Sequence, residues 1–322
     1  MLSRLAEGFF WLSRNVERAE TVARVLDVTY TRSMDQYAGG AWGERSWRTA
    51  IAIATFTHPA AVRLGERAAT DALARCVFDA DNPSSIVSCI ATARGNATGL
   101  RSELSNEVWE HINELYLDIR AENAASILDG SLSRFLRRVR DRCQAIAGVS
   151  AATLLREDGW YFMQLGRFLE RGSLQARILS TAESLEDPWP EWQRLLEMSC
   201  ASFPFAQAAT HLQSARDATA FLVFNATFPR SLAFCANEVE AALHRISGTP
   251  GGSYADKAEK QAGRLCASLN FANADDLVAE GLHPFVRRIL TAFESLIAAI
   301  QSVYFPRVPV LAAPLHSDAL VG

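Results

Sequence analysis

The sequence lacks the short motifs that mark the common enzyme classes and metal sites. It has no G-x-S-x-G elbow, no phosphate-binding G-x-x-x-x-G-K-[ST] loop and no H-E-x-x-H pair, and its six histidines are scattered. These absences argue against the standard serine hydrolases, P-loop nucleotide enzymes and zinc peptidases. We therefore expect no metal and no cofactor.

Paired cysteines, a basic charge excess and long apolar runs are also missing. None of the six cysteines forms a C-x-x-C pair, which predicts reduced, buried thiols. Only two of the 32 basic residues are lysines, but the net charge of −4 argues against a dedicated nucleic-acid binder. No stretch approaches the ~18 uncharged apolar residues of a membrane-spanning helix. Because no apolar signal-peptide core follows the first residue either, a cytoplasmic location is expected.

What the chain does contain is an internal repeat. Segments 9–26 and 162–179 match at a shift of 153, and segments 77–89 and 223–235 match in the same order at a shift of 146. The identities of the first pair fall at Phe9, Leu12, Arg14, Glu17, Arg18, Ala23, Arg24 and Leu26 of the first copy. Two matched blocks in one order indicate an internal duplication of roughly 150 residues.

Helical periodicity dominates the sequence, and no segment alternates as a β-strand does. The first helix is predicted over about 3–37, where Gly39-Gly40 closes it. In the turn before the fourth helix, Asp81 or Asn82 is expected to cap the helix, and Thr227 keeps a capping side chain in the second copy.

These patterns predict one all-α, bundle-like domain over residues 1–305. It would contain about ten to twelve helices in two pseudo-repeated halves, at about 3–120 and 156–270. Residues 306–322 include three prolines and show no periodicity, so a disordered tail is expected there.

The repeated segment carries charge where a plain amphipathic helix has no need of it. On a helical wheel its apolar residues fall on one face, while Arg14, Glu17 and Arg24 fall on the opposite face with Arg18 beside them. Arg14 and Glu17 lie three residues apart, which allows an ion pair within the helix. The second copy repeats the pattern with Arg167, Glu170, Arg171 and Arg177.

Three interpretations of this charge pattern remain open. The charges could form a solvated face with weak pairs, or a buried Arg–Glu network in which the two helices face each other and fix their register. The third interpretation is a net-positive cleft, because guanidinium forks suit carboxylate and phosphate groups. Further candidates for such a ligand-binding cleft are Arg94, Arg101, Glu103 and Arg230.

Three motifs together resemble a known bacterial family. They are R-x-x-E-R-A-E near the start, ARxNAxxLRxEL-x-x-EVWE-x-x-N-x-LY in the middle, and the second G-R-F-L-E-R helix. The combination is similar to the Alpha-E family over residues 1–304. The resemblance implies an all-helical fold, with Glu17, Arg18, Glu170 and Arg171 as the E-R residues. The second copy of the repeat departs from the first at Gly172-Ser173, where the first copy has Ala19-Glu20.

The resemblance also implies a cellular role. Genes of the family tend to lie beside circularly permuted ATP-grasp amidoligases and transglutaminase-like peptidases, which implies the handling of a peptide, an amide-linked metabolite or a protein tag. The first expectation is an accessory subunit that binds a substrate or an ATP-grasp-type partner and holds an anionic peptide or small-molecule group in the cleft. One alternative is an enzyme with Glu17 or Glu170 in acid–base chemistry. The other is a purely structural helical protein.

Overall fold

The structure is a computed structural model of the chain. The residues that it describes are 1–34, 41–57, 61–63, 68–122, 124, 127, 131–182, 184–208 and 214–306. Two of the predicted features, the helix stop at Gly39-Gly40 and the tail beyond Pro306, lie outside the described residues.

The described residues form fourteen α-helices and no β-strand, which confirms the all-α prediction. The helices are α1 Ser3–Met34, α2 Ala41–Thr55, α3 Ala68–Leu73, α4 Ile86–Gly99, α5 Asn106–Ala121, α6 Leu132–Thr153, α7 Asp158–Leu179, α8 Trp189–Met198, α9 Ser202–Ala208, α10 Ala215–Phe224, α11 Leu232–Ser247, α12 Lys257–Asn270, α13 Ala274–Glu280 and α14 Leu282–Tyr304. A π-helical turn, Ala74–Phe78, continues α3. The total exceeds the expected ten to twelve because α9 and α13 are short helices without a clear period. No helix among these residues is long and apolar enough to cross a membrane.

Helix α1 lies at the centre of the molecule, where α4, α6 and α7 pack around it. Its apolar face buries residues such as Phe10 and Leu26 in the core. The charged face is buried as well, including Arg14, Glu17 and Arg24. A solvated charged face is therefore wrong for α1, because neighbouring helices cover both of its faces, while the buried network and the cleft stay open as interpretations.

Helix α7 is the second central element, and it crosses α1 at very short range. Gly166 lies where an added Cβ would overlap the carbonyl oxygen of Phe10 and the hydroxyl of Ser13. Gly172 lies in the same way against the ring of Phe293 on α14. Glycine at these two positions lets the backbone of α7 approach its neighbours, which explains why the second copy departs from the first at Gly172.

The two matched turns have equivalent geometry. Ser85 caps α4 by accepting a hydrogen bond from Ser88 N, and Ser231 caps α11 by accepting one from Phe234 N. The predicted caps at Asp81, Asn82 and Thr227 are wrong, because each helix begins several residues later and a serine takes that position. Helix α4 packs on α1 as α11 packs on α7. This equivalence agrees with two pseudo-repeated halves, while the duplication itself stays a prediction.

The matched cysteines are core residues. Cys89 and Cys235 are buried free thiols that face the carbonyl oxygens of Pro83 and Pro229, at 3.7 and 3.9 Å. Burial raises the pKa of both thiols to about 12, so both are protonated at neutral pH. Cys200 is the exception to the expected burial, since it is exposed.

We predict that Gly166→Ala destabilises the fold. Alanine favours a helix by ~1 kcal/mol over glycine, but here the methyl group must displace the backbone of α1, so a net loss of about 1–3 kcal/mol is expected. Urea denaturation followed by circular dichroism measures it. The matched control is Gly148→Ala in α6, where an added Cβ meets nothing within 4 Å; it should be neutral or slightly stabilising. Equal effects of both variants would contradict the close crossing.

Candidate functional site

Two Glu-Arg dipeptides, Glu17-Arg18 of α1 and Glu170-Arg171 of α7, bind each other where these helices are in contact. Arg171 donates to both carboxylate oxygens of Glu17, from Nε at 2.7 Å and from Nη2 at 2.9 Å. Arg18 donates to both oxygens of Glu170, from Nε at 2.5 Å and from Nη2 at 3.0 Å. We call these two reciprocal, bidentate contacts the ER pairs. Their geometry is the strongest that a guanidinium and a carboxylate can form.

Glu170 is enclosed by arginine. Its side chain is 0 % exposed, and it also accepts from Arg14 Nε at 2.8 Å. Burial opposes ionisation, but the charges of Arg18 and Arg14 outweigh it and hold the pKa of Glu170 below its usual range. The predicted contact between Arg14 and Glu17 within α1 is absent from the described ion pairs, because Arg14 turns across the interface to Glu170.

Glu17 has a different second partner. Arg230 Nη1, from the turn before α11, lies 3.4 Å from Glu17 Oε1. Burial opposes ionisation here too, but Arg171 and Arg230 together hold the pKa of Glu17 at about 2. Arg230 occupies the position that matches Ser84 of the first half, and Ser84 accepts a bond from Arg18 at 3.4 Å. Each ER pair therefore contacts a residue of one of the two matched turns. That residue is the uncharged Ser84 in the first turn and the charged Arg230 in the second.

Glu20 extends the network, although it was missed by reasoning from the sequence. Its carboxylate accepts from Arg230 Nη2 at 3.0 Å and from Gln144 Nε2 at 3.2 Å, and it pairs with Arg24. Burial and the nearby Arg230 lower the pKa of Arg24 to about 9, so this guanidinium stays protonated at neutral pH. Glu20 is part of the R-x-x-E-R-A-E motif, but the matching residue of the second copy is Ser173. Because Glu20 is not repeated, the comparison of the two copies did not single it out.

Arg167 is the exception among the clustered arginines. Within the described part of the chain it has no hydrogen-bond or ion-pair partner, whereas the matching Arg14 binds Glu170. It lines a partly open cavity of about 40 Å³ together with Glu17, Glu20, Arg171 and Arg230. Burial lowers the pKa of Arg167 to about 10, with Glu17 acting in the opposite sense, so Arg167 is charged at neutral pH. We call this space the Arg167 cavity.

The structure brings together only part of the predicted cleft. Arg94 donates to Asn113 at 2.8 Å and Arg101 to Asn106 at 2.7 Å, so both make local contacts between α4 and α5. Glu103 is exposed and accepts a bond from the adjacent Ser102. These three residues lie apart from the ER pairs. Arg177 is also outside the cavity, because it turns to Glu294 on α14 at 3.1 Å.

Comparison with known proteins identifies the fold family. A model of the Alpha-E family, described as a predicted alpha-helical domain with a conserved ER motif, matches residues 1–305. The chain belongs to the Alpha-E family. In this member, the repeated Glu-Arg dipeptides of α1 and α7 are the ones that form the ER pairs.

The curated relatives are longer proteins. Uncharacterized proteins of Mycobacterium bovis and of two Mycobacterium tuberculosis strains are each 23 % identical over 321 residues. The match covers 93 % of this chain but 36 % of each relative, so the chain spans about a third of their length. No solved structure matches.

The charges of this Alpha-E cluster do not balance. Six arginines, namely Arg14, Arg18, Arg24, Arg167, Arg171 and Arg230, surround three carboxylates, those of Glu17, Glu20 and Glu170. A net-positive, partly buried cluster favours an anion over a cation. Consistently, no group of three or more His, Cys, Asp or Glu side chains in the described residues is placed to hold a metal ion.

We predict that Glu170→Gln is strongly destabilising. The amide keeps the shape of the carboxylate but leaves two buried guanidinium groups, those of Arg14 and Arg18, without a counter-charge, which costs about 3–5 kcal/mol. Urea denaturation at neutral pH measures this loss. The control is Glu280→Gln, which breaks the exposed bidentate pair with Arg288 and should cost ~1 kcal/mol or less. Similar losses in both variants would mean that the ER pairs are no stronger than surface pairs.

The pKa of Glu17 predicts how stability depends on pH. In the unfolded chain its pKa is 4.5 and in the fold about 2, so between these values the unfolded state binds more protons and stability falls as pH falls. The contribution, roughly 3 kcal/mol, is complete above about pH 5 and lost towards about pH 2. The free energy of unfolding of the native chain minus that of Glu17→Gln should therefore shrink across this window. A difference that stays constant with pH would contradict the assignment.

Proposed function

We propose that this chain is the binding subunit of an amide-bond-forming system of the ATP-grasp type, and that it holds an anionic group of a substrate or partner at the Arg167 cavity. The observation that carries the proposal is the charged guanidinium of Arg167, which has no protein partner among the described residues and lines a cavity beside two further arginines. A partly buried guanidinium that makes no ion pair is less stable than one with a counter-ion. An incoming carboxylate would supply that counter-ion.

The size of the cavity limits what it accepts. A volume of about 40 Å³ holds roughly three water molecules, which is enough for a single acidic group and too little for a whole ligand. Arg167, Arg171 and Arg230 carry three positive charges against the two of Glu17 and Glu20. One carboxylate, such as a chain terminus or a glutamate side chain, would balance the charges of the cavity lining, while the rest of the ligand stays outside the cavity.

Two findings support a role beside another protein unit. The match covers about a third of the mycobacterial relatives, so in those proteins the Alpha-E region is joined to further sequence. The second is the family resemblance, since genes of the family tend to lie beside genes for ATP-grasp amidoligases. ATP-grasp enzymes join a carboxylate to an amine, so a subunit that presents a carboxylate-bearing substrate fits such a system.

The same geometry argues against Glu17 or Glu170 as a catalytic base. Both carboxylates are saturated by guanidinium donors, and a pKa of about 2 makes Glu17 a weak base at neutral pH. The observation that favours the structural alternative is that four of the motif residues bind each other in the ER pairs. The ER pairs would then fix the register of α1 and α7, and Arg167 would have no ligand.

We predict that Arg167→Gln abolishes anion binding at the cavity without unfolding the protein, because Arg167 has no protein partner to leave unpaired. Acetate is the probe, titrated at neutral pH while the arginine Nε–H signals of ¹⁵N-labelled protein are followed by NMR. A saturable shift that includes Arg167 is expected in the native chain and is lost in the variant. The matched control is Arg264→Gln, an exposed arginine of α12, which should leave the titration unchanged.

The outcomes separate the two candidates. If acetate, and a glutamate-terminated peptide used in the same way, produce no saturable shift, the anion site is wrong and the structural alternative stands. Co-expression with an ATP-grasp protein of the same genome tests the partner. Co-elution of the two chains in gel filtration is expected, and separate elution would contradict the partnership while leaving the acetate result intact.

A further inference from the structure

A second basic site lies at the C-terminal end of α7, beyond the residues of that helix that line the Arg167 cavity. It is a groove of about 680 Å³ between α2, the end of α7 and the start of α14. Its charged and aromatic walls are formed by Arg45, Arg48, Phe56, Arg177, His283 and Arg287. We call it the basic groove. It shares no residue with the Arg167 cavity.

The electrostatics of the basic groove favour an anion. Its described lining contains four arginines and no carboxylate. Glu44 and Glu294, which lie outside the lining, each pair with one of these arginines, at 2.6 Å from Arg48 and 3.1 Å from Arg177. Arg287 has no hydrogen-bond or ion-pair partner among the described residues. With both glutamates counted, the guanidinium of Arg287 still lines the groove as a charge without an ion-pair partner among the described residues.

Two of its guanidinium groups also have unused donors. The Nε atoms of Arg48 and Arg177 are buried from solvent and have no hydrogen-bond partner among the described atoms. Most buried polar groups in proteins are hydrogen-bonded. Because neither Nε atom is open to solvent, a ligand in the groove would contact these two side chains through their terminal nitrogens instead.

Phe56 holds one wall of the groove in place. The guanidinium groups of Arg18 and Arg177 each lie over its ring, 4.5 Å from the ring centroid. Phe56 adopts a left-handed backbone conformation, with φ of 58°, which is rare for a bulky residue. These cation–π contacts help to hold Phe56 and Arg177 in position at this wall.

The volume and the lining define the ligand class. Pockets for small molecules span roughly 300–1,000 Å³, and the basic groove falls in this range. Several arginines spread along one groove contact more than one acidic group, since each guanidinium fork engages one carboxylate or phosphate. Phe56, Val286 and Leu290 offer apolar surface to the rest of the molecule.

We propose that the basic groove binds a small organic polyanion with two or more phosphate or carboxylate groups. The site does not depend on the proposed function, because the two cavities share no residue. Its ligand would be a whole small molecule, whereas the Arg167 cavity admits a single acidic group.

The test uses tripolyphosphate and citrate as probes, titrated calorimetrically into the full chain at neutral pH and physiological salt. The decisive pair of variants is Arg287→Gln and Arg288→Gln. Arg287 lines the groove and has no partner in the described part of the chain, while the neighbouring Arg288 pairs with Glu280 and does not line the groove. Arg287→Gln should weaken binding by about tenfold, which corresponds to one lost charge-assisted contact of ~1.4 kcal/mol, and Arg288→Gln by less than about twofold.

Each outcome has a defined meaning. Saturable binding of tripolyphosphate alone identifies a phosphorylated ligand, binding of citrate alone a polycarboxylate, and both support the shared chemistry. No saturable binding of either probe, or an equal loss in both variants, overturns the proposal, since the latter would show only diffuse attraction to charge. Because citrate can also place one carboxylate in the Arg167 cavity, both titrations are repeated in the Arg167→Gln background, where the effect of Arg287→Gln should be unchanged. Circular dichroism of each variant verifies the fold.

Discussion

The reciprocal pairing of Glu17 with Arg171 and of Glu170 with Arg18 is the constraint on which the rest of the structure depends. An ionised carboxylate as deeply buried as that of Glu170 is tolerated only when guanidinium donors saturate it. This requirement fixes the register of α1 against α7, because a shift by one turn would separate both pairs at once. The glycine crossing at Gly166 then sets how closely the two helices approach, and the remaining helices cover this pair.

The two halves satisfy that requirement with the same residue types but not with the same contacts. In the first half Arg14 and Arg18 together neutralise Glu170, and only a hydroxyl, that of Ser84, reaches in from the turn. In the second half Arg230 comes from the turn and shares Glu17 with Arg171, which leaves Arg167 without a partner among the described residues. Strict symmetry would pair Arg167 with Glu17 as Arg14 pairs with Glu170, so the asymmetry between the halves is what makes the Arg167 cavity a candidate site.

The sequence predicts most of the helices, because caps, glycines and periodicity are local signals. It also brings Glu17, Arg18, Glu170 and Arg171 into one hypothesis, since their repeated spacing is visible along the chain. It cannot show which helices cover a charged face, so a solvated face, a buried network and a cleft all remained open for α1, whose charges are buried. Partner choice fails for the same reason: Arg14 was assigned to Glu17 by spacing, but it binds across the interface. Arg177 is the counterpart of Arg24 in the repeat. It lines the basic groove and not the Arg167 cavity, because α2 and α14 lie at its end of α7.

The ER pairs also connect the two basic sites, and this limits what their own substitution can reveal. Arg171 lines the Arg167 cavity on one side, while Arg18 stacks on Phe56, which positions Arg177 in the basic groove on the other. Loss of either ER pair would therefore alter stability and both sites together. Arg167 and Arg287 differ from the arginines of the ER pairs, because neither has a partner among the described residues. A change at either position removes charge from one site while the interface of α1 and α7 stays intact, so these two residues separate binding from folding.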